Sequence, residues 1–261
     1  MKLSISNIGW SANLDEEMYI YLKEQGFEGL EIAPTRIFPE NPYDKLKEAE
    51  SFSNELKEKY GLNISSMQSI WFGKSESIFG SYEERKSLIE YTKKAVDFAA
   101  IIGCNNIVFG CPKNRNIKDD SQYQEAVEFF REIGEYAAEK GTVIAIEPNP
   151  PIYSTNFINT TEQAIVLAKE VNCAGLKVNV DFGTIIENSE SINIVAENIA
   201  LVNHVHISEP FLVQIQKREM HNNLKKVLEA TSYQRFVSIE MKNLENLELV
   251  KQTIKYVKEV F

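Results

Sequence analysis

QYQEAVEFFREIGEYAAEKGTVIAIE, residues 122–147, holds one complete unit of this chain's organisation. From Tyr123 to Ala138 apolar residues recur every three or four positions with charges between them, which is the period of an amphipathic helix. Gly141 supplies the left-handed residue that ends such a helix. VIAIE, 143–147, then follows as an apolar run of strand length, and it closes on a carboxylate, Glu147.

The same unit recurs in both directions. Apolar runs lie at KLSIS (2–6), GLEIA (29–33), NISSMQ (63–68), NIVFG (106–110), VIAIE (143–147), LKVNVD (176–181), VNHVHI (202–207) and FVSIE (236–240), eight in all. Helical patterns separate them: LDEEMYIYLKEQ, YDKLKEAESFSNELKEKY, SYEERKSLIEYTKKAVDFAAIIG, then SINIVAENIAL and LENLELVKQTIKYVKEV nearer the C-terminus. Several end in glycine, at Gly26, Gly61, Gly103 and Gly141. No Ser-, Gly- or Pro-rich linker divides the chain, so residues 1–261 are read as one domain. Eight alternations in this length predict an α/β protein of the single (β/α)8 TIM-barrel type, because closing the sheet leaves no edge strand. An open doubly wound sheet is the alternative, but neither GxGxxG after an early strand nor GxxxxGK[ST] is present to mark its usual phosphate loops.

The formal net charge of −10 repels phosphate backbones and anionic lipid, so neither nucleic acid nor membrane is an expected partner. No stretch has the apolar length of a signal peptide or membrane span, and a cytoplasmic location is expected. Cys104, Cys111 and Cys173 are odd in number and match no paired metal spacing.

In a barrel of this type, the C-terminal ends of the strands face the active site. Strands five to eight deliver Glu147, Asp181, His206 and Glu240 there. One carboxylate at a strand end is ordinarily a helix cap. Three in one confined mouth cost several kcal/mol unless a cation neutralises them, which points to one divalent metal ion. Three oxygens and one imidazole nitrogen suit Mn2+, Mg2+, Co2+ or Zn2+. The chain's three histidines, His204, His206 and His221, fall close together. Only one of His204 and His206 is expected to face the pocket, with His204 turned out toward the helices.

IEPNPP, NVDFGT, NHVHISEP and VSIEMK, in this order on these strands, resemble the xylose isomerase-like TIM-barrel family of sugar phosphate isomerases and epimerases. That family also includes inosose dehydratase and, more distantly, endonuclease IV. The resemblance spans essentially the whole chain. It implies one divalent metal held by Glu147, Asp181, His206 and Glu240, and it implies that Glu147 and Glu240 abstract and return a proton beside a carbonyl through an enediolate. Two departures bear on substrate: Thr184 stands where many ketose epimerases carry a histidine, and Tyr153 where they carry a second glutamate.

Substrate contacts are expected from Asn7, Gln68, Asn149 and Glu209, and from a cationic sector of Lys113, Arg115 and Lys242 that would hold an anionic group. Trp10 and Trp71 suit either sugar stacking or packing, and Glu31 ends strand two. His221 reads either as an exposed helix residue or as a loop residue brought over the mouth. The expected function is a metal-dependent isomerase or epimerase of a small-molecule sugar or sugar phosphate, in a chain free to form a homo-oligomer. The alternatives are a dehydratase of a polyol or inosose-type substrate, an endonuclease IV-like hydrolase, which the scarcity of histidine disfavours, and a non-catalytic sugar-binding barrel.

Overall fold

A computed structural model describes all 261 residues. Eight parallel strands close into a barrel in chain order: β1 Lys2–Ser6, β2 Gly29–Ile32, β3 Asn63–Met67, β4 Ile107–Phe109, β5 Ile144–Ile146, β6 Leu176–Asp181, β7 Val202–Ile207 and β8 Phe236–Ile239. β8 returns to β1 with Leu3 opposite Val237 and Ile5 opposite Ile239, so no edge is left open. Each strand lies where its apolar run was read, to within a residue or two at the ends.

The principal helices form the outer ring: α1 Asp15–Gln25, α2 Leu46–Glu55, α3 Tyr82–Ile101, α4 Tyr123–Glu139, α5 Thr161–Val171, α6 Phe182–Asn188, α7 Glu219–Ala230 and α8 Leu247–Val260. Gly26, Gly61, Gly103 and Gly141 all adopt positive φ between a helix and the next strand, the conformation that side chains with a Cβ disfavour. Their spacing in the sequence was therefore reporting the turns of the barrel. Gly175 has a second role. A Cβ there would lie 2.0 Å from the Gly134 carbonyl oxygen of α4, so the helix seats directly on the chain entering β6.

One helix differs from expectation. SINIVAENIAL forms only a short helical segment, Asn193–Glu197, and a turn. The helix after β6 instead starts at once, because the Asp181 side chain accepts the Thr184 amide at 2.7 Å and caps α6.

The hydrophobic core lies between strands and helices, with Phe98, Phe109, Phe130 and Phe182 fully enclosed. Trp71 belongs to it, packed edge-on against Phe109 with its indole N–H 2.9 Å from Thr92 Oγ1. Trp10 is enclosed likewise and donates to Asp15 at 2.8 Å. Both indoles are packing residues. The inside of the barrel is different in kind. Ser4 and Ser65 pair near its base at 2.5 Å, and His204, Glu31, His206 and Gln68 rise above them, all buried. Barrel interiors are usually layers of branched aliphatic side chains, so this interior is unusual in carrying a buried polar axis.

Candidate active site and metal centre

The polar axis ends at the C-terminal mouth in Glu147, Asp181, His206 and Glu240. All four are buried, and one donor atom from each falls within 4.8 Å of the others. His206 is the hub. Its Nδ1 lies 3.0 Å from Glu147 Oε2 and 3.2 Å from Glu240 Oε2, while its Nε2 lies 2.7 Å from Glu31 Oε2. Placing the ring proton on Nε2, toward Glu31, leaves the Nδ1 lone pair facing the cluster, the arrangement in which a buried carboxylate orients a metal-binding imidazole.

The remaining oxygens are fixed by neighbours. Asn179 Nδ2 donates to Glu147 Oε2 at 2.6 Å, and Asn149 Nδ2 donates to Glu147 Oε1 at 3.2 Å. Gln68 Nε2 reaches Glu240 Oε1 at 2.9 Å, Ser6 Oγ at 2.8 Å and Glu31 Oε1 at 3.1 Å. Asp181 accepts from Ser208 Oγ through Oδ1 and from the Thr184 amide through Oδ2, with Thr184 Oγ1 2.8 Å from the same oxygen. Thr184 thus holds Asp181 in place.

Burial pushes the Asp181 carboxyl up to about 6, with the Glu147 charge adding to it. Burial likewise pushes Glu240 up to about 7 against the opposing pull of His206. Glu31 shows the reverse. Burial alone would raise it, but His206 and His204 together hold it well below the usual carboxylate range. Two acids that resist ionising, Asp181 and Glu240, gathered with Glu147 round one imidazole nitrogen, match what a divalent cation neutralises and coordinates. The donor set fits such an ion.

His204 corrects an expectation. In a strand, residues two apart share a face, so His204 and His206 both point into the barrel. The His204 ring meets the His206 ring edge-on at 5.3 Å, and its Nε2 lies 3.4 Å from Glu31 Oε2. Glu31 therefore sits between two imidazoles, a role the sequence reading missed. Its signal was a lone carboxylate inside the apolar run GLEIA.

The other candidates divide. Gln68 and Asn149 line a cavity of about 190 Å3 above the cluster, together with Glu147, Asp181, Glu240 and Tyr153. Asn7 is buried beside the axis, with Oδ1 accepting the Ala33 amide at 3.0 Å, and does not line the cavity. Glu209 is committed to Arg218, which grips both of its oxygens at 2.6 and 2.7 Å. Lys113 and Lys242 are exposed and Arg115 is fully buried, and none of the three lines the cavity. Arg115 instead donates from Nη2 to Asn149 Oδ1 at 2.6 Å, beneath the wall. The cationic sector is thus not assembled at the mouth.

His221 is neither exposed nor over the mouth. It is enclosed in the first turn of α7, where Nδ1 meets Tyr256 Oη at 2.8 Å and the ring packs on Phe182. Burial pushes it down from the ordinary 6.5 to about 4; Arg218 adds to this and Glu209 opposes it. A folded-state value below the unfolded one means that acid favours the unfolded chain, which takes up the proton first. As pH falls from about 6.5 to about 4, wild type is expected to lose more stability than His221→Gln, measured by denaturant titration at each pH. Parallel pH curves for the two proteins would refute that assignment.

A closed (β/α)8 barrel with an acidic, single-imidazole centre at its C-terminal mouth defines the class. The xylose isomerase-like TIM barrel model matches residues 20–260, and the chain belongs to that family. No curated protein sequence is significantly similar to it. Among solved structures it is similar to a 3-keto-D-glucoside 4-epimerase from E. coli, with TM-score 0.80, 21% identity and 99% of each chain covered. It is similar also to a D-psicose 3-epimerase solved in the presence of D-fructose, with TM-score 0.76, 15% identity and 100% of this chain and 96% of that one covered. A third is a probable 3-DHS dehydratase from Bacillus anthracis, with TM-score 0.70, 19% identity and 98% of each chain covered. At these identities the likeness establishes a shared fold. No helix is long and apolar enough to cross a membrane.

Proposed function

We propose that the protein is a divalent-metal-dependent isomerase or epimerase of a small sugar, acting by proton transfer beside a carbonyl. The observation that carries this reading is the placement of Glu147 and Glu240 just past the C-terminal ends of β5 and β8, each with one oxygen about the same distance from His206 Nδ1. Two carboxylates facing one reacting centre from different strands suit removal of a proton from one side of a carbon and its return from the other. Epimerase activity among structures of the same fold agrees with this.

Glu147, Asp181, His206 and Glu240 would hold the ion. When bound, it supplies Lewis-acid polarisation of the substrate's carbonyl and adjacent hydroxyl, which lowers the cost of the enediolate. The protein's own groups do the rest. Asn149 and Asn179 fix the two oxygens of Glu147, and Gln68 fixes Glu240, so each acid/base group is aimed before substrate arrives. Glu31 keeps the proton of His206 on the far side of the ring. Tyr153, Leu212 and the β4 loop wall the cavity.

The cavity of about 190 Å3 is of a size that suits a small sugar rather than a larger ligand. Metal-loaded protein incubated with ketoses in deuterated water tests the reaction. The expected result is a new isomer or epimer carrying deuterium at the carbon beside the carbonyl. Loss of water from the substrate instead, read as a product lighter by one water, would make the enzyme a dehydratase built on the same abstraction, as the 3-DHS dehydratase likeness would then explain.

A further inference from the structure

The walls of the mouth narrow the substrate class, an argument that rests on the reaction proposed above. Three carboxylates line the cavity, and no lysine, arginine or histidine does. Even with a divalent ion among them, the groups facing the cavity are carboxylate oxygens with no cationic donor, so a phosphate or carboxylate on the substrate would find no partner there. The basic residues nearby in sequence present no donor to the cavity, although the buried Arg115 charge acts on Glu147 from behind the wall. Lys113 and Lys242 are exposed outside the lining, and Arg115 is enclosed against Asn149.

Donors in the wall are equally committed. Gln68 Nε2 is shared among Ser6, Glu31 and Glu240, Asn149 Nδ2 serves Glu147, and Ser69 Oγ donates to Gln68 Oε1 at 3.1 Å. Tyr153 is the exception. Its Oη accepts the Phe211 amide at 2.7 Å, and burial pushes its phenol up to about 12, so its proton stays on and has no acceptor in the protein. The rest of the wall is apolar or nearly so: Val108, Cys111, Pro112 and Leu212.

Leu212 is placed there at a conformational cost. Phe211 and Leu212 are consecutive non-glycine residues at φ 61° and 53°, and each residue so held costs on the order of 1–3 kcal/mol. The segment is tied down on several sides. The Phe211 ring packs on Tyr153 at 5.9 Å, the Leu212 amide donates to the Glu209 carbonyl, and the Leu212 carbonyl accepts the Lys242 amide, both at 2.9 Å. Glu209 is in turn locked by Arg218. This construction delivers an isobutyl group to the mouth of an otherwise acidic cavity.

We propose that the site takes an uncharged sugar whose end away from the carboxylate floor is a methyl or other apolar group. Leu212 covers that end, and Tyr153 donates to the hydroxyl beside it. These two are the specificity-determining residues, and the β7 loop is strained in order to place one of them.

Calorimetric titration of the metal-loaded protein with a 6-deoxyketohexose, the matching ketohexose and its 6-phosphate tests this without requiring turnover. The deoxy sugar is expected to bind at least tenfold more tightly than the phosphate, with the hexose between them. Leu212→Ser should close the gap between deoxy sugar and hexose. Leu212→Arg should bring the phosphate up toward the hexose, and Tyr153→Phe should weaken both uncharged ligands several-fold. Equal or tighter binding of the phosphate by wild type overturns the proposal, as does no binding of any of the three. If the ranking holds but no sugar is converted, the reaction fails and the substrate class stands. Conversion with the phosphate preferred has the opposite meaning.

Discussion

Glu147→Gln and Glu240→Gln are each expected to lower turnover by ~10²–10⁴-fold, the usual worth of a positioned acid or base. Each amide keeps an oxygen for the metal and the shape of the original side chain, but neither can accept the substrate proton. Metal affinity should therefore fall far less than kcat. The two variants also separate the steps. One should abolish both turnover and solvent exchange, whereas the other should keep exchange while losing net conversion, because abstraction survives without delivery to the opposite side. Full activity in both would remove the two-glutamate scheme, since Asp181 is the one other carboxylate that lines the cavity.

The second large effect is expected at Glu31, which touches no substrate. Its carboxylate is fully buried between His206 Nε2 at 2.7 Å and His204 Nε2 at 3.4 Å, and it also receives Gln68. Removing a buried carboxylate from its imidazole leaves a buried donor without a partner, which costs about 1–3 kcal/mol. Glu31→Ala should show a loss of that order in denaturant titration. Loss of an outer carboxylate behind a metal-binding imidazole typically weakens the metal by about 10–100-fold. Glu31→Gln, which retains an oxygen able to accept from Nε2, should recover part of both. A Glu31→Ala protein with wild-type stability and metal affinity would show that His206 orients itself without help.

How much of this was legible in the sequence follows from the range of each interaction. Helix period, strand runs and the glycines at 26, 61, 103 and 141 act within one βα unit, so the barrel could be read directly. The strand-end residues Glu147, Asp181, His206 and Glu240 were legible for the same reason, since strand direction alone sends them to one mouth. His204 was misplaced by misapplying a local rule: a period of two puts it on the same face as His206. Glu31 acts across the barrel, where only closure reveals that β2 meets β7, while Asn179 and Ser208 reach carboxylates of the neighbouring strands, which pairing register rather than local pattern decides. Loop geometry decided the rest. Nothing local to CPKNRN says that Arg115 turns under the wall while Lys113 faces solvent. Likewise, the burial of His221 depends on how α7 packs against Tyr256 of α8 and Phe182 of α6.

The central claim is that Glu147, Asp181, His206 and Glu240 hold one divalent ion. Titrating Mn2+ into chelator-stripped protein by calorimetry tests it most directly, beside His206→Ala and Asp181→Ala. The account predicts one ion per wild-type chain and an affinity at least tenfold weaker in each variant, which is a loss of ~1.4 kcal/mol or more. Equal stoichiometry and affinity in all three proteins, or no saturable binding by wild type, would contradict it.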